Sequence, residues 1–269
     1  MHHLKLIALK DFPLIEPNDD LASIINKSIN NNGIDIESGD VVVVAQKIIS
    51  KCENRYVELK NIQPSKQATD LAKTLNRDPA FIQIIQNESK KIISTDKNVI
   101  IVEHKLGFIN INAGIDRSNI LQNDDVVLLL PENPSKSAKD LQSAISANFQ
   151  RDIALIVTDS MTRPFRSGVS NFALASANIP SLIDLKGDSD IYGNILQSTE
   201  IAIADELAAA AGLLMGQGSE KQPVVIIKGF DKKNYSTNDA FDLVVDEDED
   251  LYRCCLLYTS DAADEGLGV

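Results

Sequence analysis

The fold is indicated most clearly by the stretch Ile153-Ala-Leu-Ile-Val-Thr-Asp-Ser-Met-Thr-Arg-Pro-Phe-Arg-Ser-Gly168. Its first five residues are all apolar, which is typical of a strand that is buried on both faces of a sheet. We expect the strand to end there and to present Asp159 and Ser160 beyond its end. Arg163 and Arg166 follow, and guanidinium groups suit a phosphate or a carboxylate. From the residues alone, both arginines are equally compatible with an ordinary exposed surface.

Apolar runs on both sides of this stretch predict further strands and helices. Strands are expected at residues 4–9, 41–44, 99–102, 108–111, 126–130, 153–157 and 223–227. Helices are expected from a cap at residues 17–20 to about 31, and near 65–75, 79–89, 137–148 and 198–215. Because strands and helices interleave without a strict β-α-β rhythm, we predict a mixed α+β or α/β enzyme of two interlocked subdomains.

Two further stretches carry candidate site residues, Asn110-Ile-Asn-Ala-Gly-Ile-Asp-Arg-Ser-Asn119 and Ala204-Asp-Glu-Leu-Ala-Ala-Ala-Ala-Gly-Leu-Leu-Met-Gly-Gln217. Asp116 and Asp159, with the hydroxyl of Ser160 and the amide of Gln217, make an all-oxygen donor set. Such a set suits Mg²⁺ or Mn²⁺ better than zinc. From the residues alone, the two aspartates are equally compatible with capping roles at strand or helix ends.

The third stretch is also a helix rich in alanine. Asp205 and Glu206 lie in it beside apolar residues. Alanine-rich helices pack closely, so we interpret this helix mainly as part of the core and assign neither acid a catalytic role.

Composition narrows the class of protein. The chain has 269 residues, of which 43% are hydrophobic and 24% charged, as is usual for a globular protein with a sizeable core. The formal net charge is −13 and there is no basic stripe, so nucleic-acid binding is disfavoured. No apolar run approaches the ~20 residues of a membrane span. The N-terminus lacks a signal-peptide pattern, so we expect a cytoplasmic protein without a membrane partner.

The rarer residue types exclude several kinds of site. Three cysteines and three histidines leave little material for a disulfide framework, a zinc site or histidine catalysis. The P-loop pattern and the glycine-rich dinucleotide fingerprint are both absent. A nucleotide would therefore have to bind outside the common nucleotide-binding folds.

In this order, the three stretches resemble the coenzyme F-420-0:γ-glutamyl ligase family over about residues 4–230. The resemblance implies a GTP-dependent ligase that adds L-glutamate to coenzyme F-420-0, and then a further γ-linked glutamate, through an acyl phosphate. It also implies two α+β subdomains, an intertwined homodimer and two divalent ions, Mg²⁺ or Mn²⁺. A need for a monovalent cation such as K⁺ stays open.

Site roles follow from the resemblance position by position. Asp116 and Asp159 match one metal site, and Ser160 and Gln217 match the second. The catalytic group is then Asp116, Asp159, Arg163 and Arg166. The positions that match nucleotide contacts are Lys10, Asp11, Phe12, Pro13, Gln46, Lys47, Lys51, Asn119, Met215, Gly216, Gly218, Ser219, Glu220, Lys221 and Gln222.

The chain departs from the family pattern near the expected acceptor pocket. Thr162 stands where the family usually has glycine, residues 171–178 replace a glycine-containing segment, and Lys186 and Asn194 stand where arginine is usual. Lysine does not reproduce arginine's bidentate fork, and asparagine has no charge. Two alternatives therefore stay open: a ligase of this family with a different acceptor or amino acid, and a non-catalytic nucleotide-binding or deazaflavin-binding relative.

The end of the chain differs in character from the rest. Residues 255–269 resemble the translation of a sequencing-library adapter. We therefore assign the ligase unit to residues 1–254 and exclude the tail from fold reasoning.

Overall fold

The computed structural model describes residues 3–95, 99–120, 125–232 and 235–252. The helices are α1 (Leu21–Asn31), α2 (Gln46–Cys52), α3 (Lys66–Leu75), α4 (Pro79–Asn87), α5 (Pro134–Phe149) and α6 (Ile203–Met215). The strands are β1 (Lys5–Ala8), β2 (Val41–Ala45), β3 (Tyr56–Glu58), β4 (Ser89–Ser94), β5 (Ile101–His104), β6 (Ile109–Ile111), β7 (Val126–Leu128), β8 (Ala154–Arg163), β9 (Arg166–Ala177), β10 (Ile183–Asp184), β11 (Glu200–Ile201) and β12 (Val224–Lys228). The predicted mixed α+β class is confirmed. Of the described helices, none has the length and apolar character that crossing a membrane requires.

The chain divides into two compact units. The sheet unit comprises Met1–Arg55 and Leu130–Leu243, and the inserted unit comprises Tyr56–Leu129 and Val244–Val269. The larger segment of the inserted unit lies in sequence between α2 and α5. The predicted tail, residues 255–269, lies outside the described residues.

The sheet unit contains a five-stranded sheet with the order β1-β12-β2-β8-β9. β2 and β8 run parallel, and the other neighbours run antiparallel. Val41 and Val43 face the core that they share with Leu207 and Ala211 of α6. The alternating residues Val42 and Val44 are also fully buried, and α5 packs against β8 and β9. Each fully buried valine contributes roughly 1.5–3 kcal/mol, which explains the continuous apolar run.

The inserted unit has its own core. It contains the antiparallel sheet β4-β5-β6 and the pair β3-β7. The core comprises residues from α3, α4 and these strands, among them Phe81, Ile85 and Val102. Ser65 caps α3 by accepting a hydrogen bond from Ala68 N, 3.1 Å away, as short polar side chains do at helix N-termini.

One sequence expectation about β8 is wrong. β8 does not end near Val157 but continues to Arg163 and forms a long antiparallel hairpin with β9. Residues 162–169 of the hairpin are exposed, so this part has no apolar alternation for a sequence pattern to detect. Asp159 and Ser160 therefore lie within a strand, not beyond its end. The last predicted helix also begins later, at Ile203, because β11 occupies residues 200–201.

Candidate functional site

Four of the predicted site segments meet at one edge of the five-stranded sheet. Leu9 N donates to Val224 O at 2.9 Å, so the end of β1 lies beside the start of β12. Ala45 N donates to Pro223 O at 2.8 Å, which places the start of α2 at the same edge. Ala45 also pairs in register with Thr158 of β8. The segments that lie at this edge, where β1, β2 and the buried part of β8 end and β12 begins, are residues 10–13, 46–51, 158–160 and 216–222.

The segment after β1 is held by a side chain that sequence reasoning missed. Asn32 Oδ1 accepts from Lys10 N at 3.0 Å, and Asn32 Nδ2 donates to Lys10 O at 3.2 Å. Asp11 has φ 52°, a left-handed conformation that is uncommon outside glycine. Phe12 is buried, whereas Lys10, Asp11 and Pro13 are exposed. The backbone of this segment is thus fixed while its polar side chains face solvent.

Helix α2 follows β2 directly and carries two candidate lysines. Lys47 and Lys51 are four residues apart, so they lie on one side of the helix. Gln46 is buried, and its Oε1 accepts from Ser50 Oγ at 2.9 Å. The lysines supply local positive charge on an acidic protein, whereas the carboxamide oxygen of Gln46 is engaged inside α2.

The loop after α6 is shaped by a glycine. Gly216 has φ 69°, and a Cβ atom there would lie 2.2 Å from Glu220 Cδ. The Glu220 carboxylate also accepts from Gly218 N at 2.8 Å, so it folds back over the loop. Met215, the last residue of α6, is buried in the core, whereas Ser219 and its neighbours Glu220 and Lys221 are exposed and Gln222 is half-buried.

The hairpin places the predicted metal ligands on defined faces. Asp159 pairs with Phe172, and Ser160 pairs with Asn171. Since side chains alternate along a strand, Asp159 and Ser160 point to opposite faces of β8. Gln217 Nε2 donates to Asn171 Oδ1 at 3.0 Å, which brings Gln217 to the face of Ser160. Asp159 Oδ1 accepts from Ser160 N at 2.8 Å.

The two arginines lie at the tip of the hairpin. Arg163 and Arg166 pair across the turn formed by Pro164 and Phe165. Both are exposed, and neither forms an ion pair with a carboxylate in the part of the chain that the structure describes. Like charges opposite each other on a hairpin are destabilising. Phe165 adds an unfavourable φ of 57°. This tip is suited to an anion that both guanidinium groups approach.

Asp116 and Asn119 belong to the inserted unit. Asp116 forms an isolated bridge with Leu128, with Asp116 N donating to Leu128 O at 2.9 Å and Leu128 N donating back at 3.0 Å. The side chain of Asp116 is half-buried, and Asn119 is exposed with φ 56°. Beside them, the Arg117 guanidinium lies 5.3 Å from the centre of the Phe81 ring. The sharing of one metal by Asp116 and Asp159 stays a prediction.

Three residues near the hairpin were not assigned a role from the sequence. Asn171 contacts Gln217, and a Cβ atom on Gly212 would lie 2.7 Å from Asn171 Cγ. Asp205 Oδ1 accepts from Ala173 N at 2.8 Å, and burial raises the pKa of Asp205 above 3.8. The one sequence signal for these contacts was Gly212, because a glycine inside an alanine-rich helix marks the close approach of another group.

The donor chemistry of the hairpin fits a hard divalent cation. Among residues 3–95, 99–120, 125–232 and 235–252, no group of three or more His, Cys, Asp or Glu side chains is placed to hold a metal ion. The predicted ligands are, however, the Asp159 carboxylate on one face of β8 and the Ser160 hydroxyl with the Gln217 amide on the other. Ser160 Oγ and Gln217 Oε1 make no hydrogen bond to any described residue. All three groups offer oxygen, which Mg²⁺ and Mn²⁺ prefer.

Two of the positions that depart from the family pattern, Lys186 and Asn194, lie in a segment with its own hydrogen bonds. Asp190 accepts from the Asn194 side chain at 2.9 Å and from Asn194 N and Tyr192 N, each at 2.8 Å. These bonds, first that of the Asn194 side chain, lower the pKa of Asp190. Lys186 N donates to Asp184 Oδ1 at 2.7 Å, and its side chain is exposed. Asn194 therefore shapes the loop instead of replacing an arginine's charge.

Comparisons with known proteins agree on one family. The profile of the family described as F420-0:Gamma-glutamyl ligase matches residues 10–229. A coenzyme F420:L-glutamate ligase of Methanothermobacter thermautotrophicus is 39% identical over 227 residues, 84% of this chain and 89% of the relative. Its namesake in Methanocaldococcus jannaschii is 40% identical over 81% of this chain and 86% of the relative. The namesake in Archaeoglobus fulgidus is 33% identical over 94% of this chain and 98% of the relative. The chain belongs to the F420-0:gamma-glutamyl ligase family.

Proposed function

We propose that this protein joins L-glutamate to coenzyme F-420-0 in an amide bond, using GTP, and then adds a further γ-linked glutamate. The observation that carries the proposal is the convergence of residues 10–13, 46–51, 158–160 and 216–222 at one edge of the sheet. The family resemblance implies that these segments contact the nucleotide and the metal ions. Joining a carboxylate to an amine in water is uphill, so the carboxylate must first be activated.

The proposed reaction has two steps. The γ-phosphoryl group of GTP passes to a carboxylate oxygen of F-420-0, which yields an acyl phosphate and GDP. The amino nitrogen of L-glutamate then attacks the acyl carbon, the carbon–oxygen bond to phosphate breaks, and the amine loses a proton. The described part of the site offers no histidine or activated nucleophile, which suits a reaction that relies on positioning and charge.

The proposed site residues have different roles, which follow from the chemistry of their side chains. Lys47 and Lys51 on α2 would contact the phosphates of GTP. Arg163 and Arg166 would hold the transferring phosphoryl group or the acceptor carboxylate at the hairpin tip. In this proposal Asp116 and Asp159 hold one divalent cation, and Ser160 and Gln217 hold the other. When bound, such cations neutralise phosphate charge and polarise the phosphoryl oxygens.

We also propose a homodimer, as the family resemblance implies. The sheet unit exposes large apolar side chains at Phe165, Ile191 and Tyr192. A homodimer interface would cover such side chains where they form one contiguous apolar patch. Light scattering after size-exclusion chromatography tests the proposal, and a monomeric mass at micromolar concentration would refute it.

The activity is tested with purified protein, F-420-0, L-glutamate, GTP and Mn²⁺, with the coenzyme followed by mass spectrometry. Glutamyl adducts that require GTP are expected, and their masses give the number of glutamates added. Parallel reactions with ATP, with other amino acids and without the metal test each co-substrate separately.

Two other outcomes correspond to the alternatives. Activity with a different acceptor, and none with F-420-0, would assign the protein to another amide ligation, for which Lys186 and Asn194 are the motivating positions. GTP binding without turnover on any acceptor would indicate a non-catalytic relative.

A further inference from the structure

A chain of hydrogen bonds runs from the backbone of β9 to the side chain of Gln217. The Thr158 hydroxyl donates to Phe172 O at 2.8 Å. Its oxygen accepts from Asn171 Nδ2 at 3.3 Å, and Asn171 Oδ1 accepts from Gln217 Nε2 at 3.0 Å. Thr158 is 1% exposed, whereas Gln217 is exposed. The hydrogen bonds therefore link a buried end in the sheet to an end at the candidate site.

The buried end fixes the direction of every bond in the chain. A backbone carbonyl only accepts hydrogen bonds, so Thr158 must donate its one proton to it. Thr158 then has only lone pairs to offer Asn171, which must turn its amide nitrogen towards Thr158 and its oxygen towards Gln217. Gln217 in turn directs its amide nitrogen to Asn171. Gln217 Oε1, an acceptor, is therefore the atom at the exposed end of this series of hydrogen bonds.

Steric contact holds the middle of the chain in place. A Cβ atom on Gly212 would lie 2.7 Å from both Cγ and Oδ1 of Asn171. Real Cβ atoms do not approach so closely, so the Asn171 amide occupies space that only glycine leaves on that face of α6. The helix and the hairpin thus fix where Asn171 lies, and Thr158 fixes which way its amide points.

We propose that Asn171 is a positioning residue that presents Gln217 Oε1 to a divalent cation on the Ser160 face of β8. The inference rests on the proposed function, because it requires a cation at Ser160 and Gln217. With its amide reversed, Gln217 would direct N–H groups at the cation, and these repel it. Groups that orient metal ligands typically change metal affinity by roughly 10–100-fold when they are removed.

Mn²⁺ titration, with free Mn²⁺ measured by electron paramagnetic resonance, tests the role in a double-mutant cycle. In the wild-type background, Asn171→Ala is expected to weaken one Mn²⁺ site about tenfold. In a Gln217→Glu background the same change is expected to have less than about a twofold effect, because both carboxylate oxygens are acceptors and orientation no longer matters. Thr158→Val, which keeps the shape and removes the hydroxyl, is expected to weaken the same site.

Gln142→Ala is the matched control, since it removes an amide that donates to Ile153 O and Ser146 Oγ at the other end of β8. It is expected to leave Mn²⁺ affinity unchanged. Equal losses for Asn171→Ala in both backgrounds, or no loss in either, would overturn the positioning role. A wild-type protein that binds no Mn²⁺ would overturn the metal assignment together with it, and the glutamyl-adduct assay reports separately whether the ligase activity stands.

Discussion

Asp205 attaches helix α6 to the edge strand β9, and its removal has an effect that the structure lets us estimate. Its Oδ1 accepts from Ala173 N at 2.8 Å, and Ala173 is 5% exposed. Asp205→Ala leaves that buried N–H without a partner, at a cost of about 1–3 kcal/mol. The lost carboxylate also interacted with the N-terminal end of the helix dipole, which adds about 0.3–1 kcal/mol.

A substitution at Glu206 separates the contribution of the hydrogen bond to Ala173 from that of the helix dipole. Glu206 is the neighbouring acid in the first turn of α6, and it is exposed. Glu206→Ala therefore removes a similar interaction with the helix dipole but breaks no bond to the sheet. We expect Asp205→Ala to be less stable than Glu206→Ala by about 1–3 kcal/mol in urea unfolding followed by circular dichroism.

Asp205→Asn tests whether the bond or the charge matters. Asparagine keeps an oxygen that accepts from Ala173 N, so we expect little loss of stability. Burial raises the folded-state pKa of Asp205 above 3.8, so its stabilising contribution is complete below that value and is lost as pH rises through the folded pKa. The asparagine variant escapes this loss. Its stability relative to wild type should therefore rise as the pH increases above 3.8.

Two results would refute this reasoning. If Asp205→Ala and Glu206→Ala were equally stable, the bond to Ala173 would contribute nothing measurable. If Asp205→Asn were as unstable as Asp205→Ala at neutral pH, the negative charge would be required and burial would not be its dominant effect.

Three more substitutions test the site and the core around it. Asp159→Asn should abolish glutamyl transfer and remove one of two Mn²⁺ ions while lowering Tm by less than about 3 °C; equal losses of Tm and activity would argue against a ligand role. Gly212→Ala should displace Asn171 and weaken Mn²⁺ binding about tenfold, with little change in unfolding free energy because alanine gains about 1 kcal/mol of helix propensity. Lys228 is half-buried, and this partial burial lowers its pKa, but its hydrogen bonds, first to Asp40, outweigh the effect and leave the pKa raised. Lys228→Met should cost about 3 kcal/mol at pH 7 in urea unfolding, and the difference from wild type should shrink only as pH rises above 10.5.

Elements that carry their own local signal could be predicted from the sequence. Both α3 and α4 lie within two residues of the expected ranges 65–75 and 79–89; Ser65 caps α3, and Asp78 caps α4, whose first residue is Pro79. The apolar runs of β2 and β12 were equally visible because both faces of those strands are buried. In each case the residues that form the element also contain the evidence for it.

The hairpin could not be predicted in the same way. Residues 166–171 of β9 are polar or small and mostly exposed, so no period separates them from a loop. They are a strand because β8 lies opposite, and that pairing depends on a turn at residues 164–165 and on the packing of α5 and α6. The family resemblance implied roles for Asp159, Ser160 and Gln217, but only the structure shows that Asn171 pairs with Ser160 and accepts a hydrogen bond from Gln217.

The position of Asp159 and Ser160 within β8, and not beyond its end, changes the chemistry that the site can support. Beyond the end of a strand, Asp159 and Ser160 would lie in a loop, free to turn towards the same ion. Within β8 their side chains alternate, so Ser160 faces Asn171 and Gln217, and Asp159 faces the other side. One ion is therefore not expected to be bound by both side chains. The division of Asp159 from Ser160 and Gln217, which the family resemblance implies, then follows from the pleat of a single strand.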